Sequence, residues 1–251
     1  MIFFTSNSNK YIEKFKSGKN SKQSKTENKP IISKLLSLYE NGEISWASVI
    51  GSCIDMQASS TDTIMFCLIE LTNLKNIQNK VYNEIKQEIK KQNINNNNNE
   101  DEVLIQYNKY RNSLPYFSMV IKETFRKHPV TAHETSNDVE FRGYKISKGT
   151  QIIKNIWATH RNEKIFQSPN SFIPERFLEE LPNSNLVHFG VGVRDCMGKS
   201  LAESQIFTIL ASFINRYEFL NPNPSIPLND VGKFGLAFSC PQNKIIIKKR
   251  I

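Results

Sequence analysis

A single cysteine in the last third of the chain lies in a loop whose residues could hold it as a thiolate. The loop reads Phe189-Gly190-Val191-Gly192-Val193-Arg194-Asp195-Cys196-Met197-Gly198. Its glycines allow tight turns and let the backbone approach a flat ligand closely. A helix is expected directly after Gly198, and the positive end of a helix favours a thiolate over a thiol. The pattern therefore predicts a reactive or metal-binding sulfur at Cys196.

The chemistry that this loop offers is axial ligation of a haem iron. A thiolate ligand donates electron density to the iron and promotes cleavage of an O–O bond. Arg194 carries a fixed fork of donors that suits a carboxylate. The alternative is a buried structural cysteine in a glycine-rich loop. That alternative would be favoured for an isolated cysteine, but here several spaced positions agree on a ligand.

Three further segments carry groups that could support this site. Glu123 and Arg126 are three residues apart, so they share a helix face and can pair. Arg176 lies in Pro174-Glu175-Arg176-Phe177. Asp62 and Thr63 lie in a long helix and offer a carboxylate and a hydroxyl for proton delivery. The alternative for those two residues is an ordinary polar patch on a buried helix.

In this order, the four segments resemble the motifs of the cytochrome P450 family. The cysteine loop matches F-G-x-G-x-R-x-C-x-G at every defined position. The motifs E-x-x-R and P-E-R-F are also matched in full, and [AG]-G-x-[DE]-T is matched only at Asp62 and Thr63. The resemblance implies a mainly α fold with a minor β component (α+β), the C-terminal half of the cytochrome P450 fold. It also implies a haem-thiolate monooxygenase that inserts one atom of dioxygen into a small organic substrate.

The resemblance assigns a role to each candidate residue. Cys196 would be the axial ligand of the iron, and Asp62 and Thr63 would relay protons. Phe189, Arg194 and His133 would contact the haem, His133 against a propionate. A structural lock beneath the haem would be formed by Glu123, Arg126 and Arg176. The cofactor would be haem b (iron protoporphyrin IX), with electrons from NADPH through a reductase and a small apolar substrate.

The proton-delivery segment departs from the family pattern at two positions. The chain has Ser59 and, where the family has glycine, Ser60. A serine side chain there would crowd the dioxygen pocket, and its hydroxyl could bond the carbonyl four residues earlier. This departure favours an alternative function, a non-catalytic fragment that binds haem weakly or not at all.

Hydrophobic periodicity places the motifs on elements. It predicts helices over Ile31–Tyr39, Ile44–Leu71, the stripe from Leu74 to Ile89, Leu114–Lys127 and the residues after Gly198. The last helix is expected to bury one face, made of Ala202, Ile206, Ile209, Leu210 and Phe213. Short strands with turns are expected over Val139–Thr150. The tail Phe234–Ile251 reads as a terminal hairpin that turns at Pro241-Gln242-Asn243.

Composition limits the partners and the compartment. The chain has 33 Lys and Arg against 24 Asp and Glu, a formal charge of +9. Residues 1–30 form a lysine-rich polar leader, which without interleaved aromatics does not indicate a nucleic-acid partner. Four cysteines without a C-x-x-C pair fit a reducing, intracellular compartment. No apolar run reaches the roughly 20 residues of a membrane anchor.

The length predicts part of a family domain. Residues 31–251 align with the C-terminal half alone, because a complete member is roughly twice this long. A truncated gene product, a pseudogene-like remnant and a gene with wrongly assigned boundaries all remain open. A third function, an interaction protein that binds another chain through its basic leader and helices, is supported by charge alone.

Overall fold

Helices dominate the structure, and its strands are short. The computed structural model describes residues 31–93, 105–129, 133–134, 138–152, 155–178, 186–192, 195–196, 198–234 and 238–250. The helices are α1 Ile31–Glu40, α2 Trp46–Asn73, α3 Lys75–Asn93, α4 Tyr107–Tyr110, α5 Pro115–Lys127, α6 Ile156–Thr159 and α7 Lys199–Arg216, with a 3₁₀ helix Pro174–Phe177. The strands are β1 His133–Glu134, β2 Val139–Phe141, β3 Tyr144–Ile146, β4 Gln151–Ile152, β5 Tyr217–Leu220, β6 Lys233–Phe234, β7 Phe238–Ser239 and β8 Ile246–Lys249. The predicted mainly α fold with a minor β component is confirmed.

The chain divides into two compact units, Met1–Gln57 and Ala58–Ile251. The described part of the first unit holds α1 and the beginning of α2, where the ring centroids of Tyr39 and Trp46 are 5.2 Å apart. The second unit holds every motif residue. The predicted leader 1–30 lies outside the described residues. None of the described helices combines the length and the apolar character that crossing a membrane requires.

The core of the second unit is an apolar cluster shared by four helices. The stripe predicted for α3 is buried, because a spacing of four residues keeps its side chains on one face. The cluster includes Cys67, Leu68 and Leu71 of α2, Ile77, Val81, Ile85 and Ile89 of α3, Phe117, Val120, Ile121 and Phe125 of α5, and Ile206, Phe207, Leu210 and Ile214 of α7. This cluster fixes α5, which carries E-x-x-R, against α7, which follows the cysteine loop.

The N-terminus of α5 is held by a side chain of another helix. Pro115 occupies its first turn, where the missing N–H costs nothing. The backbone N–H groups of Tyr116 and Phe117 donate to the two oxygens of Glu84 on α3, each at 2.8 Å. Burial raises the pKa of Glu84, and the two donated hydrogen bonds oppose that shift. The start of α5 is therefore set by tertiary contact as well as by its own sequence.

The strands over Val139–Thr150 form the turn that their sequence predicts. β2 pairs with β3, and Phe141 lies opposite Tyr144. The two residues between them, Arg142 and Gly143, have φ of 52° and 82°. Positive φ at both central positions is the geometry of a two-residue turn whose twist matches that of the flanking strands.

The predicted terminal hairpin is wrong. β8 pairs antiparallel with β5, which directly follows α7, and Tyr217 lies opposite Lys249. The segment predicted as its turn is held elsewhere: the amide of Asn243 donates to the carbonyl of Asn229 at 2.8 Å, and its Oδ1 accepts from the Asn229 N–H at 3.1 Å. Alternation in a sequence identifies a strand but not its partner, and here the partner lies about 30 residues earlier.

The predicted buried face of α7 is also partly wrong. Ile206 and Leu210 are buried, but Ile209 is 38% exposed and Phe213 is 42% exposed. The buried stripe instead includes Phe207, which is only 2% exposed. At 100° per residue, that stripe is centred further round the helix than the predicted one. The error arose because several apolar residues of α7 lie at the edge of its core-facing side.

Candidate haem-thiolate site

The cysteine loop is closed by hydrogen bonds between its own backbone groups. The N–H of Cys196 donates to the carbonyl of Phe189 at 2.8 Å, and the N–H of Asp195 donates to the carbonyl of Gly192 at 3.1 Å. Gly190 and Gly192 have φ of 83° and 82°, a left-handed conformation that a side chain would strain. The glycine spacing of the sequence is thus required by the path of the loop.

Cys196 stands at the positive end of α7. Gly198 is the N-cap of that helix, and its carbonyl accepts the N–H of Ala202 at 2.8 Å. The carbonyl of Cys196 accepts the N–H of Lys199 at 3.2 Å. The helix dipole favours negative charge at this end, so the position suits a thiolate.

Cys196 differs from the other described thiols in its exposure. It is exposed, whereas Cys67 is buried in the core and Cys240 is half-buried. Burial raises the pKa of both Cys67 and Cys240 to about 12, and Asp62 adds to the shift of Cys240. Those two sulfurs therefore stay protonated at neutral pH. Cys196 is therefore the most exposed of the three described thiols.

Three aromatic rings support the loop from the side of α5. The ring of His188 stacks on that of Phe125, with centroids 4.0 Å apart and planes at 17°, and lies 4.2 Å from the ring of Phe189. Phe125 and Phe189 meet edge to face at 5.1 Å. Burial, and then the nearby His160 and Lys199, lower the pKa of His188 to about 3, so its ring is neutral. Phe189 is thus held by packing, and its carbonyl holds Cys196.

Arg126 is completely buried, and each of its donors has a partner. Its Nε and one terminal nitrogen donate to Glu123 Oε2 and Oε1, both at 2.8 Å. That terminal nitrogen also donates to the carbonyl of Ser171 at 3.1 Å. The other nitrogen donates to the carbonyls of His160 and Pro169 at 2.9 and 2.8 Å. A buried guanidinium is stable only with such complete pairing.

Arg176 joins the same carboxylate. Its Nε donates to Glu123 Oε1 at 3.1 Å and to Oε2 at 3.0 Å. Its terminal nitrogens reach carbonyls of the loop before the 3₁₀ helix, including that of Gln167 at 2.8 Å. The backbone N–H of Ile173 also donates to Glu123 Oε1, at 2.9 Å. One buried carboxylate therefore ties α5 to residues 167–176.

The proton-delivery candidates lie on α2. Asp62 is half-buried, and its Oδ1 accepts the backbone N–H of Cys240 at 2.8 Å. Thr63 is buried. A cavity of about 610 Å³ opens beside Asp62 and is lined by Asp62, Met65, Cys240, Pro241, Gln242, Asn243 and Lys244. The carboxylate is thus anchored by one oxygen at the wall of a cavity.

Ser60 connects the proton-delivery segment to the helix of the cysteine loop. It is 3% exposed, and its hydroxyl donates to Gln205 Oε1 at 3.1 Å. The hydrogen bond expected with the carbonyl four residues earlier is therefore replaced by one with α7. Gln205 lies on α7, the helix that follows the cysteine loop, so this contact joins the proton-delivery segment to that helix.

Two predicted site residues fall where side chains are not described. Arg194 lies outside the described residues. His133 lies in β1, where its backbone pairs with Ile152 of β4. Their roles toward a haem propionate remain predictions.

A buried charge cluster at the end of α5 was not predicted. Glu70 Oε1 accepts Lys127 Nζ at 2.7 Å and contacts His128 Nε2 at 3.1 Å. Lys127 also donates to Asp230 Oδ2 at 2.7 Å. Burial alone would lower the pKa of Lys127, but the two carboxylates outweigh it and raise that pKa. No spacing rule links residues 57 or more positions apart, so the sequence carried no signal for this cluster.

The donor set fits a haem. One exposed sulfur at a helix N-terminus can supply a single axial ligand to an iron that a planar ring already holds. Among the described side chains, no group of three or more His, Cys, Asp or Glu is arranged to hold a metal ion by itself. The exposed sulfur of Cys196 is therefore compatible with a haem whose iron it would bind.

Comparison with known proteins bears on the family of the chain. The cytochrome P450 family model matches residues 4–248. The Dictyostelium discoideum protein named "Probable cytochrome P450 513A1" is 60% identical over 240 residues, covering 88% of this chain and 47% of that protein. A second protein of that organism, "Probable cytochrome P450 513A3", is 50% identical over 258 residues, covering 96% of this chain and 52% of that protein. The chain spans about half the length of the curated relatives it matches.

Solved structures show the same fold. A zebra fish cytochrome P450 solved with abiraterone superposes with a TM-score of 0.65 at 24% identity, over 76% of this chain and 44% of that one. A zebra fish cytochrome P450 structure with progesterone gives a TM-score of 0.64 at 26% identity, over 75% and 42%. The resemblance that the four motifs indicated is confirmed. The chain belongs to the cytochrome P450 family, and that membership implies a haem cofactor.

Proposed function

We propose that this chain is the haem-binding part of a haem-thiolate monooxygenase. The observation that carries the proposal is the placement of Cys196. Its sulfur is exposed, its backbone N–H is held by Phe189, and α7 begins three residues later. A thiolate in this position would bind a haem iron through its sulfur, and the positive end of α7 favours negative charge there.

The cofactor would be haem b, and its contacts would come from residues around the loop. Cys196 Sγ would bind the iron, Phe189 would pack against the ring, and Arg194 and His133 would pair with propionates. When bound, the haem supplies the redox chemistry by which one atom of dioxygen enters an organic substrate. The protein's own groups would then have two tasks: to hold the ligand sulfur and to deliver protons.

Asp62 and Thr63 are the candidates for proton delivery. Asp62 keeps one oxygen on the Cys240 N–H at 2.8 Å, which orients the carboxylate at the wall of the cavity. A carboxylate at the wall of a cavity could exchange protons with water that enters it. Thr63 is the next residue along α2 and carries a hydroxyl in a buried position.

Glu123, Arg126 and Arg176 would act as a structural lock rather than as catalysts. They are buried together, and Arg126 reaches the carbonyl of His160. His160 contacts Val187, two residues before Phe189. Their role would be to fix the loop that presents Cys196, not to exchange protons with substrate.

Family membership supports a proposal for the class of substrate and electron donor. We expect a small apolar organic substrate and electrons from NADPH through a reductase. A reductase docks through charge complementarity, and the chain's formal charge of +9 favours an acidic partner surface.

The test is spectroscopic and uses two matched cysteine variants. The chain is expressed with haem supplied, reduced, and exposed to carbon monoxide. Wild type and Cys67→Ser should give the red-shifted Soret band of thiolate ligation, and Cys196→Ser should lose it. Cys67 is a fair control because it is buried in the core, away from solvent. The same spectrum from wild type and Cys196→Ser contradicts the assignment of the ligand.

The alternative function is a non-catalytic chain that binds haem weakly or not at all. The observation that favours it is Ser60, which stands where the family has glycine and is fixed to Gln205 at 3.1 Å. A haem titration followed by turnover separates the two functions. Weak or absent haem binding without product formation supports the alternative, and stoichiometric binding with the thiolate spectrum and product formation supports the monooxygenase.

A further inference from the structure

His160 lies between the buried arginine and the start of the cysteine loop. It follows α6 directly, and none of its surface is exposed. Its Nδ1 lies 3.1 Å from the carbonyl oxygen of Arg126, and its Nε2 lies 3.0 Å from the backbone nitrogen of Val187. Its ring meets the ring of Phe166 edge to face, with centroids 6.1 Å apart. Both ring nitrogens are therefore used.

These two contacts fix the tautomer of the ring. A backbone N–H can only donate, so Nε2 must accept the hydrogen bond from Val187. A carbonyl can only accept, so Nδ1 must carry the proton and donate to Arg126. A second proton on Nε2 would remove the acceptor for Val187. Burial lowers the pKa of His160 to about 4, which agrees with this neutral form.

The same residue touches the buried arginine a second time. The backbone carbonyl of His160 accepts a terminal N–H of Arg126 at 2.9 Å. On its other side, Val187 is two residues before Phe189, whose carbonyl accepts the N–H of Cys196 at 2.8 Å. A continuous set of hydrogen bonds thus runs from Glu123 through Arg126 and His160 to the segment that holds Cys196.

We propose that His160 is a positioning residue that transmits the geometry of the buried Glu123–Arg126 pair to the loop that presents Cys196. Its ring provides a donor and an acceptor at opposite ends, which lets one side chain join two backbone groups. The role in ligand placement rests on the proposed function. The mechanical link between His160 and the loop does not, so the two can be tested separately.

The first experiment measures the link in the chain without cofactor. Site-resolved amide hydrogen exchange is compared in wild type, His160→Ala and His160→Gln, with His128→Gln as a matched buried-histidine control. In His160→Ala, the exchange rate of the Cys196 amide should rise about three- to tenfold. This change corresponds to the net free energy of one hydrogen bond. Glutamine retains a donor and an acceptor, so His160→Gln should recover part of the protection. His128→Gln should leave the Cys196 amide unchanged.

A merely structural role gives a different pattern. It would raise exchange equally at the Phe219 amide, which donates to Gln78 in the core at 3.1 Å. That result, or an unchanged Cys196 amide in a folded His160→Ala, overturns the proposal. If His160→Ala does not fold, ¹⁵N chemical shifts of the wild-type imidazole still decide: a proton on Nε2 instead of Nδ1 overturns it.

The second experiment uses the haem-loaded chain. The reduced carbon monoxide spectrum of His160→Ala should lose part of the red-shifted thiolate band, and His160→Gln should lie between it and wild type. Full thiolate signal in His160→Ala overturns the role in ligand placement. If wild type itself lacks the band, the proposed function fails, while hydrogen exchange still decides the link.

Discussion

The Oδ1 of Asp62 accepts the backbone N–H of Cys240 at 2.8 Å, joining the middle of α2 to the segment before β8. The acid that the family resemblance assigns to proton delivery therefore also holds a distant part of the chain. The two roles need different properties of the side chain. Any acceptor oxygen can hold the N–H, but an amide in place of the carboxylate cannot act as a general acid or base.

Substitutions of Asp62 separate these roles. Asp62→Asn retains an acceptor oxygen, so its free energy of unfolding should fall by less than about 1 kcal/mol. Asp62→Ala leaves the Cys240 N–H without its partner and should cost about 1–3 kcal/mol. If Asp62 delivers protons, both variants should lower product formation per electron consumed by at least about tenfold. Chemical denaturation and a coupling assay on haem-loaded protein measure the two effects. Unchanged coupling in Asp62→Asn would leave Asp62 with the anchoring role alone.

The buried carboxylate of Glu123 should be far more sensitive than an exposed one. Glu123→Gln places an amide group where two guanidinium groups need an acceptor, so we expect a loss of about 3–5 kcal/mol. The matched surface change is Lys91→Ala, which removes an ion pair of 3.9 Å from a lysine side chain that is 73% exposed. It should cost less than about 1 kcal/mol. Urea unfolding of both variants tests this, and equal losses would contradict the importance of burial.

The sequence alone predicted one contact of this lock but not the others. Glu123 and Arg126 share a helix face at a spacing of three, so their pairing followed from local geometry. The approach of Arg176 was available only through the family resemblance, because 50 residues separate it from Arg126. The hydrogen-bond partners of the His160 ring are backbone groups, which every type of residue carries. Such contacts depend on the folded path of the chain and leave no signal in residue types.

The predictions that differ from the structure also concern tertiary contacts. The tail was recognised as strand-forming, but the pairing of β8 with β5 depends on where α7 ends. The apolar residues of α7 were recognised, but which of them face the core depends on the neighbouring helices. The Ser60 hydroxyl could have bonded a carbonyl of its own helix, and in the structure it donates to Gln205 on α7. Local patterns predicted the elements and the motifs, and tertiary packing decided their partners.

Ser60 allows a direct test of whether its side chain crowds the oxygen site. Ser60→Gly should cost about 1–2 kcal/mol of stability, from the lost hydrogen bond and from glycine within a helix. If crowding limits oxygen activation, Ser60→Gly should raise product formation per electron consumed. Gln205→Ala removes the same hydrogen bond and keeps the serine, so it should not raise coupling. An equal gain in both variants would assign the effect to the hydrogen bond instead.

Two stacked histidines should respond in opposite ways to replacement by phenylalanine. His188 stacks on Phe125 with centroids 4.0 Å apart, and His128 stacks on Phe66 at 3.9 Å. Neither ring nitrogen of His188 has a hydrogen-bond partner among the described residues, whereas His128 Nε2 contacts Glu70 at 3.1 Å. His188→Phe should therefore gain about 1 kcal/mol at pH 7.5, and His128→Phe should lose about 1–3 kcal/mol.

The pH dependence gives an independent check on His188. Burial lowers its pKa from 6.5 to about 3, so the unfolded chain binds a proton in this interval that the folded chain does not. Stability is then complete above pH 6.5 and falls as the pH drops toward 3, by about 1.4 kcal/mol per pH unit for one proton. His188→Phe removes this contribution, so its advantage over wild type should grow by about 1 kcal/mol between pH 6.5 and 5.5. Urea unfolding at both pH values measures it. A constant difference between the proteins would mean that the His188 ring is already charged, or hydrated, in the folded chain.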